Sequence, residues 1–295
     1  MPWDASNTGG SSNPPASRPA PDGARGDVVR PESGRSAFTG SSISIDRRLM
    51  HIRRRLMAEA MLATSMLEKS VDAFVRLDVE SAQEVRRRDD RVDREEVAIE
   101  QECHELLTLY HPFAKDFRVL AFVLKVNADV ERVADHACSI AKAVIKVRES
   151  LPPGASPPRW PTALIELGQR VPLVCHQLLR AVIDEDAEMA RRLVASDKTI
   201  DAMDRRLFDE TRELMRLEPG NPTLGLMIYR VGRELERVGD LMANVAEDVV
   251  YLVTGTIIRH ASKNPANPVA PSTEAKSATT PTDDQPSGGA ASPSA

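Results

Sequence analysis

The stretch DVERVADHACSIAKAV, residues 129–144, returns as ELERVGDLMANVAEDV at residues 234–249, with six of sixteen positions identical. Upstream, RDDRVD (88–93) aligns with SDKTID (196–201). The offset is 108 residues at the upstream pair and 105 at the downstream one, so the two copies differ by a three-residue change in a connecting segment. An internal duplication is therefore the first organisational inference, and it decides the fold.

Outward from these repeats the apolar residues follow helical spacing. Ile45, Leu49, Ile52 and Leu56, then Ala60, Ala63, Leu67, Ser70, Phe74 and Leu77, step by three and four, as one face of a long helix does. Val85, Val92, Ile99 and Leu106 recur every seven residues on a second helix, Pro112 breaks the chain, and Phe117 to Val147 reads as a third. The second half repeats the plan, with one helix ending near Asp184, one from about Glu185 to Leu217, and one from Asn221 to Val253. Asn221 before Pro222 is a favourable N-cap and first-turn pair. Pro172 should kink the fourth helix or delay its start.

The expected fold is all-α, with two tandem, duplicated three-helix bundles built from six long antiparallel helices. The bundles are expected at 43–150 and 161–260, separated by a proline-rich linker at 151–160. Residues 1–42 and 261–295 are rich in Pro, Gly, Ser and Ala, and are expected to be disordered tails.

Composition narrows the function. Aromatic residues make up 4% and charged residues 28%, which suits packed helices. A net charge of -5 argues against nucleic-acid binding, because no basic excess is available for phosphates. Arg86, Arg87 and Arg88 sit beside Asp89 and Asp90, as on a salt-bridged helix face. The three cysteines, Cys103, Cys138 and Cys175, show no CxxC spacing, as expected of a reduced cytoplasmic protein. MPWDASNTGGSSNPP lacks the pattern of a signal peptide, and no apolar run reaches the length of a membrane helix.

The chemistry lies in acidic residues four positions before an aspartate: Asp89 and Asp93, Glu131 and Asp135, Asp197 and Asp201, Glu236 and Asp240. That spacing stacks two carboxylates on one helix face, where like charges destabilise a bare helix. A cation reverses the sign, and oxygen-rich clusters suit hard metals such as Mg, Ca, Mn or ferric iron. Frequency alone decides nothing; four of the five such pairs occupy matching positions in the two halves. The competing reading is a solvated acidic face inherited by duplication. Gly232, Gly239, Ala243 and Ala246 are small enough for helices to close around the second pair set. Ferritin-like chemistry requires Glu three residues before His, which no histidine here satisfies. His136 reads as a packing or surface residue, Cys138 as a small buried one, and Glu234, Glu247 and Asp248 as solvated. No phosphate-cradling loop or nucleophile turn is present.

PFAKDFRVLAFVLKVNADVERVADHACSIAKAV (112–144) and LGLMIYRVGRELERVGDLMANVAEDVVYLVTG (224–255) resemble the two signatures of the PhoU phosphate-signalling regulators. The resemblance covers about 45–255, and it departs at Ala134 and Ser139, where the family often has the Gly and Asn seen here at Gly239 and Asn244. It implies tandem three-helix bundles and multinuclear iron or zinc clusters on an E/D-x-x-x-D motif, matched at the eight carboxylates above; Mg or Mn are further candidates. It also implies a non-enzymatic, cytoplasmic negative regulator of phosphate uptake and phosphate-starvation signalling. Such a protein contacts a phosphate ABC transporter, through its ATPase subunit, and a sensor histidine kinase, and it reaches the membrane only through partners. A homodimer is expected. The alternatives are a helical carboxylate metalloenzyme and a metal-free structural scaffold.

Overall fold

The computed structural model describes residues 36–258, with side chains from residue 45. Six helices follow in order: α1 (Ser36–Arg76), α2 (Val79–Tyr110), α3 (Lys115–Ser150), α4 (Thr162–Ile183), α5 (Ala187–Leu217) and α6 (Pro222–Thr254). No strand occurs among the described residues. The tails expected at 1–42 and 261–295 lie outside the described residues, except that α1 already starts at Ser36. Pro172 sits inside α4, so it does not delay the helix start.

The duplication extends to the corners. At the α1–α2 turn Leu77 takes φ 56°, the Asp78 amide donates to Ala73 O at 2.9 Å, and Asp78 caps α2 by accepting from the Ser81 amide at 3.1 Å. At the α4–α5 turn Glu185 takes φ 49°, the Asp186 amide donates to Ala181 O at 2.9 Å, and Asp186 accepts from the Met189 amide at 2.9 Å. A left-handed residue with a bond back to the carbonyl five positions earlier closes a helix end, and the aspartate opens the next helix at once. Such short corners force each helix to return antiparallel along its predecessor. Asn221 opens α6 in the same way, accepting from the Leu224 amide at 3.1 Å beside Pro222, and Gly255 at φ 71° closes it.

Each predicted apolar stripe is a buried stripe. The α1 set from Ile45 to Leu77 is buried throughout, and Val85, Val92, Ile99 and Leu106 of α2 are fully enclosed. Antiparallel contacts fix the arrangement. On α1, Arg55 reaches Glu95 and Glu102 of α2, while Glu68 meets His176 of α4 and Phe74 packs on Trp160 just before α4. The Trp160 indole N–H donates to Val75 O at 2.9 Å, which anchors the proline-rich connection to α1. Between the halves, α3 lies against α6: Lys125 Nζ is 3.0 Å from Asp248 Oδ1, and His136 Nδ1 is 2.7 Å from Glu234 Oε2. The two three-helix halves thus share one continuous core, with α3 and α6 at its centre. No described helix is long and apolar enough to cross a membrane.

Candidate metal centres

Antiparallel pairing places the carboxylates of α2 opposite those of α3, and those of α5 opposite those of α6. In the second half, Asp197 and Asp201 sit one turn apart on α5 and face Asp240 on α6. One oxygen from each of these three residues lies within 4.8 Å of the others, the one such set among the described residues. Asp197 and Asp201 are half-buried, and Asp240 sits at the exposed rim. Burial raises the Asp197 carboxyl, and the charges of Asp201 and Asp240 raise it further. The Asp240 carboxyl is also raised, by burial and then by Asp201. Asp197 Oδ1 and Glu236 Oε2 are enclosed without a hydrogen-bond partner. Oxygens that repel one another and lack donors match the first requirement of a hard cation, so this donor set fits a metal.

Glycine sets the helix spacing here. A Cβ at Gly239 would lie 2.8 Å from Ile200 Cδ1, and one at Gly232 would overlap Leu207 Cδ2, so α5 and α6 approach as closely as they do only over bare backbone. In the first half the aligned positions hold a smaller α2 residue, Val92, and a larger α3 residue, Ala134, both buried.

The first half brings Asp89, Asp93, Glu131 and Asp135 into one field. Burial raises the Asp89 carboxyl, the Cys138 thiol hydrogen bond lowers it in part, and Asp93 and Asp135 raise it. Glu131 is raised by burial and then by Asp135, Glu96, Asp93 and Asp89. Asp89 Oδ1 is enclosed and unpartnered, but no three carboxylates of this half bring oxygens within 4.8 Å of one another among the described residues. Cys138 is the small buried residue expected: burial, then the Asp89 charge, push its thiol up to about 12, which keeps it protonated.

Each half has a further acidic rung deeper in the bundle. In the second half it is Asp204 on α5, and a basic residue answers it. Arg233 Nη1 is 3.0 Å from Asp204 Oδ2 and 3.0 Å from Glu236 Oε1. In the first half, Glu96 stands at the position aligned with Asp204, and Ala128 stands where Arg233 would be. Into the same region α1 sends Glu59, which is 3% exposed, with both carboxylate oxygens unpartnered. Burial first, then the charges of Glu95 and Glu96, push the Glu59 carboxyl up to about 8.

Sequence reasoning missed these inner residues. Glu96 and Asp204 could have been found, because they share the 108-residue offset of the other α2–α5 pairs. Glu59 could not, since its aligned residue is Leu167. One expectation needs correction. Glu234 and Asp248 are not solvated: they are 6% and 4% exposed and form ion pairs with α3. His136 lies at the joint between the halves, where it is the α3 partner of Glu234.

The family profile described as the PhoU domain matches residues 56–144 and again 164–249. The phosphate-specific transport system accessory protein PhoU homolog of Pseudomonas aeruginosa is 32% identical over 212 residues, covering 72% of this chain and 86% of that protein. The crystal structure of PhoU from Pseudomonas aeruginosa superposes with a TM-score of 0.67 at 32% identity, over 72% of this chain and 99% of that one. The phosphate transport system regulatory protein PhoU from Streptococcus pneumoniae gives 0.65 at 27% identity, over 72% and 98%.

Proposed function

We propose that this chain, which belongs to the PhoU family, is an accessory regulator of phosphate transport that restrains phosphate uptake and phosphate-starvation signalling. The observation that carries this reading is the family match in both halves, over the same residues that hold the paired carboxylates. The relatives' names supply the phosphate system, and the duplicated helical body supplies long charged faces for docking. In this reading the protein is a non-enzymatic adaptor in the cytoplasm. It contacts the ATPase subunit of a phosphate ABC transporter and a sensor histidine kinase, works as a homodimer, and meets the membrane only through those partners.

The adaptor carries metal. Asp197, Asp201, Glu236 and Asp240 hold one centre, and Asp89, Asp93, Glu131 and Asp135 the other. Iron or zinc clusters follow from the family resemblance, and the all-oxygen donors also suit Mg or Mn. A bound cation supplies the positive charge that the facing carboxylates lack. The chain's own residues do the rest: close approach at Gly239 sets the spacing of the donors, and the orphaned oxygens of Asp89, Asp197 and Glu236 are left free to coordinate.

Deleting the gene should give high phosphatase expression in phosphate-rich medium, restored to low by the intact gene. Expression that stays low after deletion would sink the regulatory role. Metal analysis of protein purified without chelator tests the centres separately. Asp135→Asn and Asp240→Asn should each lower the bound metal, and wild-type metal content in both variants would remove the ligand assignment.

A further inference from the structure

Helix α1 turns one face into the core and leaves the opposite face uncovered. Along that face Arg47, His51, Arg54 and Ala58, then Met61, Ser65, Glu68 and Asp72, are all exposed. They step by four, three, four, three, four, three and four residues, so they form one straight stripe with the period of a coiled-coil seam. At the rise of an α-helix the stripe is about 38 Å long. Met61 lies on it and Met50 at its margin, 61% and 54% exposed, and methionine adapts readily to a facing surface.

Charge is sorted along the stripe. Its first half carries Arg47, His51 and Arg54, and its second half Glu68 and Asp72. The neighbouring arginines are engaged within the chain: Arg48 with Glu105 at 3.2 Å, Arg53 with Glu185 at 2.9 Å, and Arg55 with Glu95 at 2.7 Å. Arg47 and Arg54 have no ion-pair partner among the described residues. Glu68 meets His176 and Asp72 meets Arg76, but each contact lies at the surface and uses a single carboxylate oxygen. Helix α4 offers no second stripe of this kind. It spans 22 residues, and where it aligns with Glu68 and Asp72 it carries His176 and Arg180.

The steps of the stripe run the same from either end, with their midpoint between Glu59 and Ala60. A second α1 laid antiparallel along it therefore meets it in register. Arg47 then faces Asp72, His51 faces Glu68, Arg54 faces Ser65 and Ala58 faces Met61, and each pair occurs twice about a two-fold axis. A parallel copy would set Arg47 against Arg47 and Asp72 against Asp72, so charge selects the antiparallel form. We propose that α1 is the self-association surface of this chain, paired antiparallel with α1 of a second copy through the stripe from Arg47 to Asp72. The proposal rests on the homodimer reading above and names the face that forms it.

Sedimentation equilibrium of the full chain at low salt is the test, on wild type, Arg47→Glu, Asp72→Arg, and an equal mixture of the two variants. Wild type should sediment as a dimer. Either substitution alone sets like charges against each other at both ends of the interface, and should raise the dimer dissociation constant about tenfold or more. In the mixture Glu at position 47 of one chain meets Arg at position 72 of the other, and the native pair forms at the opposite end. The mixture should therefore recover wild-type association, which misfolded variants could not do. Dimers of undiminished affinity from both variants overturn this surface and leave the homodimer reading standing. Variants that dissociate alone and stay dissociated when mixed overturn the antiparallel register, and the proposal with it. A wild-type chain that sediments as a monomer at every concentration overturns both the surface and the homodimer.

Discussion

His136 Nδ1 on α3 stands 2.7 Å from Glu234 Oε2 on α6, at the joint where the two halves of the chain meet. Glu234 is buried, and Arg230 and Arg237 reach it at 3.6 and 3.9 Å along its own helix. Burial alone would raise its carboxyl. The His136 hydrogen bond and charge, together with Arg237 and Arg230, outweigh burial and hold it below the usual glutamate range. A depressed carboxylate contributes stability above its unfolded pKa and loses it as the pH falls through the folded one. Glu234→Gln should therefore cost about 1–3 kcal/mol at neutral pH. The cost should shrink in acid, below the ordinary glutamate range. Urea unfolding from about pH 3 to 7 measures both effects. An equal cost at every pH would mean that shape, rather than charge, is what Glu234 contributes.

Close approach of α5 and α6 gives a second prediction. A methyl group at Gly239 would push on Ile200, so Gly239→Ala should destabilise by about 1–3 kcal/mol. The first half solves the same packing with Val92 and Ala134. Gly239→Ala combined with Ile200→Val should thus recover most of the loss, although Ile200→Val alone costs about 0.5–1.5 kcal/mol. A double-mutant cycle by urea unfolding reads the coupling. Simple additivity would show that the two residues do not press on each other.

These examples mark what the sequence could disclose. Val85, Val92, Ile99 and Leu106 were legible because a helix with one buried face repeats its apolar residues along the chain, and all four are enclosed. The eight outer carboxylates stood out because duplication printed them twice, and three of them, Asp197, Asp201 and Asp240, bring oxygens within 4.8 Å of one another. Glu234 and Asp248 were not. Helix α6 is buried against α3, α4 and α5 together, so a charge on it can fall between helices, and only the packing of the halves decides which one does. Glu59 was hidden for the opposite reason. It falls on the buried face of α1, where a carboxylate is not expected, and its repeat partner, Leu167, is an ordinary core residue. The corners at Asp78 and Asp186 were readable in principle, since both are aspartates at the common 108-residue offset.

The Glu59 carboxyl gives the metal-free chain a pH dependence of the opposite sign. Its folded value near 8 stands above the ordinary 4.5, so it ionises later in the folded protein than in the unfolded one. Such a group leaves stability intact in acid and removes it as the pH rises between those two values. In the presence of a chelator, wild type should lose on the order of a few kcal/mol between about pH 5 and 9. Glu59→Gln should flatten that slope and be the more stable protein at the alkaline end. Thermal unfolding with chelator across this range decides it, and parallel curves for the two proteins would contradict the assignment.

Arg233 gives the last prediction, which separates stability from metal binding in the second half. Its guanidinium joins Asp204, buried on α5, to Glu236 on α6, and Asp204 Oδ1 already lacks a partner. Removing the arginine leaves that carboxylate uncompensated, so Arg233→Met should destabilise the chelated protein by about 2–4 kcal/mol. The same change frees Glu236 from a competing cation and removes one positive charge beside Asp197, Asp201 and Asp240. Metal should then bind the second half more tightly than in wild type, and saturating Mn²⁺ should return more of the lost stability than it adds to wild type. Melting curves with and without Mn²⁺ measure the two effects on one sample. Equal Mn²⁺ stabilisation of both proteins would show that Arg233 and the cation do not compete, and that the inner and outer rungs of this half are electrostatically separate.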